Sequence, residues 1–340
     1  MANPKTFDLI AEQLQGVRQA PDPFQRQHIF HSILAYCGQQ ENAAGRMDMM
    51  YRFSECQRAL GNMLRGNLML ANDLIGAIDR TPLALSSTAA RSAMDAIHAA
   101  MVAYKHYALR DYAAAHALLD RGRAAFGALF EDGFPRAALA LIDLELNAIR
   151  VDVAAGQTAR AVARAVETLQ LLYRGHGRLA RFDIDWSATL SQAESASISH
   201  FFTDALLSKL IGTDEREHIQ ALFAGLCADT ADWERSDLRA AFGHYERLLN
   251  GRSSDALDRE FVVGGALAGL PSSLQYLIVF AMLAGAPHAA SPAAMADIRR
   301  YFDDRPEIGK LRLCAWYDER TLSAGQGGTD HAAPGIPALA

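Results

Sequence analysis

The sequence predicts an all-α protein of about fourteen helices, paired as antiparallel hairpins and joined by short connections. Three observations predict it. Runs of β-branched residues are nearly absent, the clearest being Val262-Val263 and Ile278-Val279, and both sit in Ala/Leu surroundings that favour helix. Helix-starting and helix-ending residues recur along the whole chain. From Met94 to Tyr173, small and large apolar positions alternate on either side of tight polar turns, as close-packed antiparallel helices require.

The elements follow in order. Residues 1–82 form an N-terminal helical segment: MANPKTFDLIAEQL reads as the start of an amphipathic helix, Pro21 to Pro23 break the pattern, and a Met-rich helix follows with Met47, Met49, Met50, Met63 and Met69. Its glycines, Gly61 and Gly66, suit close helix packing, and the methionine stripe reads as core before it reads as an adaptable contact face. Thr81-Pro82 ends the segment. Residues 83–178 open on Ser86-Ser87-Thr88, a helix start, and carry the hairpins, with breaks at Asp132 to Pro135, Ala155-Gly156 and Gly175 to Gly177. Residues 179–322 form a C-terminal helical segment. It contains the capping box Ser191-x-x-Glu194, the helix start Ser291-Pro292, and breaks near Gly212, Asn250-Gly251, Pro271, Pro287 and Pro306. The tail 323–340, SAGQGGTDHAAPGIPALA, has little to bury and reads as a flexible end.

Two consecutive units in this chain each consist of a helix, a polar turn and an Ala-rich helix. The first offers Val102-Ala103, Tyr112, Ala115, Leu119 and Gly122; the second offers Ala148, Gly156, Ala161 and Ala165. Residues 94–173 thereby resemble the tetratricopeptide family of helix-turn-helix repeats. The resemblance implies a stacked α-solenoid whose concave face binds a protein or peptide, and it implies no chemistry. The offset of 46 between Tyr112 and Thr158 exceeds that family's usual ~34 residues.

Composition excludes several classes. The chain has 340 residues, is 50% hydrophobic and carries a formal charge of −6, with 33 basic and 39 acidic residues, so no global field draws it to nucleic acid or to anionic membrane. Cys37, Cys56, Cys227 and Cys314 form no CxxC pair, which fits reduced thiols and a cytoplasmic location. The N-terminus lacks the pattern of a signal peptide. The apolar run from Leu274 to Ala286 is shorter than the ~20 residues of a bilayer span and reads as a core helix. The excess of arginine over lysine, together with abundant alanine, fits a GC-rich bacterial genome. No cofactor is implied, and the oligomeric state has no sequence signature.

Candidate sites follow from charge and spacing. Tyr104, Tyr107, Arg150, Arg160, Arg164 and Arg174 would form a basic, tyrosine-containing concave surface for a protein or peptide partner. The segment Tyr173, Arg174, His176, Arg178 and Arg181 reads as a helix end decorated with cations, or as an anion-gripping loop. Glu215 and His218 lie one helical turn apart in the Glu-x-x-His arrangement of helical metal carboxylate proteins, which supports an alternative reading as an all-α metal-dependent enzyme. A second copy of that motif is missing, and Asp95-x-x-His98 is its nearest substitute. Asp303-Asp304 superficially resembles the metal-binding segment of helical isoprenoid synthases, but Pro306 breaks the helix that would present it. His28, His31, His200 and His244 lack recognisable partners. A third reading is a small-molecule-binding sensor with Trp186, Trp233, Phe201 and Phe202 lining an apolar pocket. No phosphate loop, HExxH motif or nucleophile elbow is present.

Overall fold

A computed structural model describes residues 4–16, 26–210, 216–252, 254–265, 267–285 and 290–304. The breaks proposed at Pro21 to Pro23, Gly212, Pro287 and Pro306, and the tail, lie outside the described residues. Within them the chain forms fourteen α-helices and one short two-stranded hairpin. It divides into two compact units, one built from residues 1–17 and 244–340 and the other from residues 18–243.

In the smaller unit, α1 (Pro4–Gly16) packs against α12 (Asp255–Val263) and α14 (Pro292–Asp303). The apolar run becomes α13 (Ser272–Gly285), a core helix whose Leu274, Leu277, Ile278 and Val279 are fully buried. Its Tyr276 and Phe280 close on Phe302 of α14 with ring centroids 5.1 and 5.8 Å apart. The start of α14 is capped as its sequence requires: Ser291 Oγ accepts from the Ala294 amide, with proline in the first helical turn. No helix among the described residues is long and apolar enough to cross a membrane.

The larger unit holds α2 (Arg26–Gly38), α3 (Ala43–Leu64), α4 (Leu68–Arg80), α5 (Thr88–Ala108), α6 (Tyr112–Glu131), α7 (Ala137–Ala154), α8 (Thr158–Arg174), α9 (Gln192–Leu210) and α10 (Arg216–Cys227). The last helix, α11 (Ser236–Leu249), begins in this unit. Three successive hairpins, α3–α4, α5–α6 and α7–α8, close with the same turn. A left-handed residue follows each first helix, Gly66 (φ 80°), Arg110 (φ 61°) or Gly156 (φ 72°), at intervals of 44 and 46 residues. The next residue, Asn67, Asp111 or Gln157, sends its amide back to Asn62, His106 or Asp152 at 2.8–2.9 Å and stands at the start of the second helix. This double closure satisfies the last carbonyls of the first helix and reverses the chain in three residues. The small residues picked out by the pattern, Ala103, Ala115, Ala148, Ala161 and Ala165, are all buried.

Helix starts are fixed by carboxylates and hydroxyls. Glu41 accepts from Ser86 Oγ at 2.8 Å and from the Ser87 amide at 2.6 Å, and these contacts hold its carboxyl below the usual glutamate range. Ser87 then caps α5 through the Ala90 amide. Ser191 and Glu194 form a reciprocal capping box at α9: the Ser191 amide donates to Glu194 Oε2 and the Glu194 amide donates to Ser191 Oγ.

One element corrects the purely helical expectation. Residues 176–185 form an antiparallel hairpin of β1 (His176–Leu179) and β2 (Phe182–Asp185), with Leu179 opposite Phe182 and His176 opposite Asp185. The alternation Phe182 in, Asp183 out, Ile184 in, Asp185 out is a strand period of two. Gly127 of α6 admits it, because a Cβ there would lie 2.1 Å from the Phe182 ring.

The recurring turn yields a test. Arg110 occupies a conformation where the equivalent positions carry glycine, so Arg110→Gly is expected to raise stability by about 1 kcal/mol, and Gly156→Ala to lower it by about the same amount. Urea unfolding midpoints measure both.

Candidate functional site

Helix α7 decides where charge goes in this unit. It is buried along nearly its whole length, so its apolar residues form no single stripe, and its polar residues fall into two sets. At about 100° per residue, Asp143, Asn147 and Arg150 share an arc of about 60°, while Glu145 and Asp152 lie about 180–200° from Asp143. The two polar stripes face opposite ways.

The Glu145–Asp152 stripe is clamped by cations from α6 and α8. Arg123 Nε lies 2.7 Å from Glu145 Oε1, and Arg164 Nη1 donates to Oε2 at 2.6 Å. Asp152, whose side chain has no exposed surface, has His116 Nε2 at 2.8 Å and Arg160 Nε at 3.6 Å from Oδ1, with Arg164 Nε at 3.1 Å from Oδ2. The Arg160 and Arg164 contacts to Asp152 are ion pairs without hydrogen-bond alignment. Arg164 therefore serves both carboxylates and ties α8 to α7.

The Asp143–Asn147–Arg150 stripe lines a cavity of about 310 Å³. Its walls come from Phe30 of α2, Cys56, Leu60 and Leu64 of α3, Ile97, Met101, Tyr104 and Tyr107 of α5, and Leu119 of α6. Along the stripe, Asn147 Nδ2 donates to Asp143 Oδ2 at 3.4 Å, and Arg150 Nη1 donates to Asn147 Oδ1 at 2.9 Å. Across from it, the Tyr104 and Tyr107 rings stand 5.7 Å apart, one helical turn from each other. Burial and the neighbouring Tyr107 push the ionisation of Tyr104 upward against the pull of Arg150, so its hydroxyl stays protonated and able to donate. Burial also drives the Cys56 thiol up to about 12.

Other cavities occur among the described residues of the same unit, two of them as follows. One of about 340 Å³ lies among α2, α7 and α9, but its Arg136 and Glu194 pair with each other at 3.0 Å. The other, about 480 Å³, lies between α2 and α3 with Met49 and Met50 in its wall. The first also sets polar groups, His28, Ser32 and Ser197 among them, against Ile29, Leu139 and Ile198.

The six residues of the expected basic surface thus have three destinations. Tyr104, Tyr107 and Arg150 meet at one cavity. Arg160 and Arg164 turn onto the buried carboxylates of α7. Arg174 pairs with Asp229 at 2.6 Å and Asp232 at 2.9 Å, and Arg181 lies over the Phe182 ring, 5.0 Å from its centroid. Sequence reasoning missed Cys56, Leu60, Ile97, Asp143 and Asn147. The i, i+4, i+7 spacing of 143, 147 and 150 was the signal that could have found the polar edge.

Of the alternative sites, Glu215 lies outside the described residues and His218 is half-buried on α10. Among the described residues, no group of three or more His, Cys, Asp or Glu converges in a way that could hold a metal ion. Trp186, Trp233 and Phe202 are core residues; Trp233 packs on Tyr173 at 4.7 Å and on Phe242 at 5.9 Å.

No family model, curated protein or solved structure matches this chain.

Two outcomes follow. Removing one partner from a buried ion cluster strands the others, so Asp152→Ala is expected to cost about 3 kcal/mol in chemical denaturation. Peptide mapping after iodoacetamide at mildly alkaline pH should leave Cys37 and Cys56 unmodified in the folded protein and alkylated in denaturant, since both are buried and both thiols are pushed far up. Rapid labelling of folded Cys56 would contradict a buried thiol held protonated.

Proposed function

We propose that this chain is a helical-repeat binding protein that receives a protein or peptide partner at the Tyr104–Tyr107–Arg150 cavity, in an assembly or regulatory role. The observation that carries the reading is the convergence of two tyrosines and one arginine on a cavity whose wall is mostly apolar, with Gln57, Asp143 and Asn147 as its other polar side chains. Such a site combines area that excludes water with a few oriented donors. The recurrence of one αα-turn in three hairpins supports the likeness to tetratricopeptide repeats, and in such arrays binding occurs on surfaces formed by successive units. A cytoplasmic location belongs to the same proposal.

A second reading is a small-molecule sensor. It draws on the size of the same cavity, which at about 310 Å³ falls at the lower end of the ~300–1,000 Å³ of small-ligand sites. The metal-enzyme reading gains no such support from His218.

Charge reversal at Arg164 would test the fold rather than binding, because that side chain holds two buried carboxylates. The informative variant is Ala100→Trp, which fills the cavity from α5. Peptides selected by display on the immobilised protein should share a consensus, bind in fluorescence anisotropy, and lose at least about tenfold in affinity against Ala100→Trp. Selected peptides that bind the filled variant as well as the parent would sink the proposal.

A further inference from the structure

Helix α4 stands at one edge of the hairpin array in the larger unit, and none of its residues lines the Tyr104 cavity. Its main neighbour is α3, and it buries one stripe, Ala71, Ile75 and Ile78. At about 100° per residue, the positions opposite that stripe are Met69, Asp73, Gly76, Ala77 and Arg80. Met69 is 82% exposed, Asp73, Ala77 and Arg80 are also exposed, and Gly76 is half-buried. Positions 69, 73, 76 and 80 are spaced by four, three and four residues, the spacing of a seam between two helices.

In an array of repeats each unit covers its neighbour, and a terminal unit needs a polar outer face. At the other edge of this array, α8 is covered by α9 and α10. The outer face of α4 has no comparable cover among the described residues, and it is not simply polar. Met69 and the 49% exposed Leu70 put apolar surface at its start. Gly76 sits in the middle of the helix, where glycine is weaker than alanine, yet an added Cβ would meet only Arg80 Nη1, 3.3 Å away at the end of a flexible side chain. Asp73 and Arg80 carry opposite charges on one face, and neither has an ion pair or side-chain hydrogen bond among the described residues.

A second copy of the same helix answers all three features. Place two α4 helices antiparallel about a twofold axis that passes between Gly76 and Ala77. Asp73 and Arg80 each lie three and a half residues, about 5 Å, from that midpoint, so Asp73 of each copy comes level with Arg80 of the other. Two reciprocal ion pairs result, the self-complementarity that a twofold interface requires. Gly76 and Ala77 meet at the crossing, where small side chains let the backbones approach, and Met69 and Leu70 add apolar area at both ends. We propose that α4 is the seam of an antiparallel homodimer, centred on Gly76 and Ala77 and keyed by Asp73 and Arg80. One helix per copy buries less than the ~1,200 Å² of a permanent interface, so the dimer is weak, with a dissociation constant on the order of 10 μM.

Sedimentation equilibrium of the full chain, over about 1–200 μM, tests the seam. The parent is expected to fit a monomer–dimer equilibrium. Asp73→Arg and Arg80→Glu each set like charges level with one another across the axis and should each weaken self-association at least about tenfold. An equimolar mixture of these two variants should associate again, because both pairings between unlike copies then join an arginine to a carboxylate. Ala77→Glu puts two carboxylates at the crossing on a good helix former, and it should weaken association to a similar degree without loss of helix by circular dichroism. A parent that stays monomeric throughout, variants that associate as the parent does, or a mixture no more associated than its components would each overturn the proposal.

Discussion

The larger unit is organised by one electrostatic demand: α7 is buried from Ala137 to Asp152 yet carries three carboxylates, with Asp143 1%, Glu145 7% and Asp152 0% exposed. An isolated buried carboxylate costs several kcal/mol, so each must be met by donors or cations. Glu145 and Asp152 draw Arg123 and His116 from α6 and Arg160 and Arg164 from α8. Cations that the sequence places near the turn of a hairpin are thereby turned inward. The α6–α7–α8 packing is set by ion geometry as well as by small residues such as Ala148 and Ala161.

The opposite stripe of α7 has a different environment and therefore a different use. Asp143, Asn147 and Arg150 bond in sequence along one face, and all three line the cavity. A packed interior normally leaves few voids larger than a water molecule. A cavity of about 310 Å³ edged by tyrosine hydroxyls and the polar stripe of α7 is what gives the Tyr104–Tyr107–Arg150 group its standing as a site. The same helix supplies the rigid edge of that site and the anchor of the fold, so the donors are held by elements that do not rearrange easily.

Much of this architecture is legible in the sequence, and the parts that are not share a cause. Helix class, the capping box at Ser191 and Glu194, the start at Ser87, the proline start at Ser291-Pro292 and the core nature of the Leu274 run all depend on neighbours within four residues, so local chemistry reveals them. Tyr104, Tyr107 and Arg150 could be picked out because they sit on matched helices flanking a hairpin. The β1–β2 hairpin escapes because four-residue strands give too few positions for a period of two to stand out beside the basic run before it. The destinations of Arg160, Arg164 and Arg174 escape because an arginine one helical turn from another looks the same whether it faces water or a carboxylate on the next helix. The α3 wall of the cavity and the packing of α1 on α14 are contacts between distant segments, which no local pattern specifies.

Native-state hydrogen exchange on α7 tests this account most directly. If both polar stripes are compensated inside the unit and the neighbouring helices depend on them, the α7 amides exchange only through global unfolding and are the slowest in residues 18–243. Exchange of α7 as fast as that of α4, whose Met69 is 82% exposed at its start, would mean that the helix opens locally and that its carboxylates are reached by water. That result would contradict a fold anchored on buried, neutralised charge.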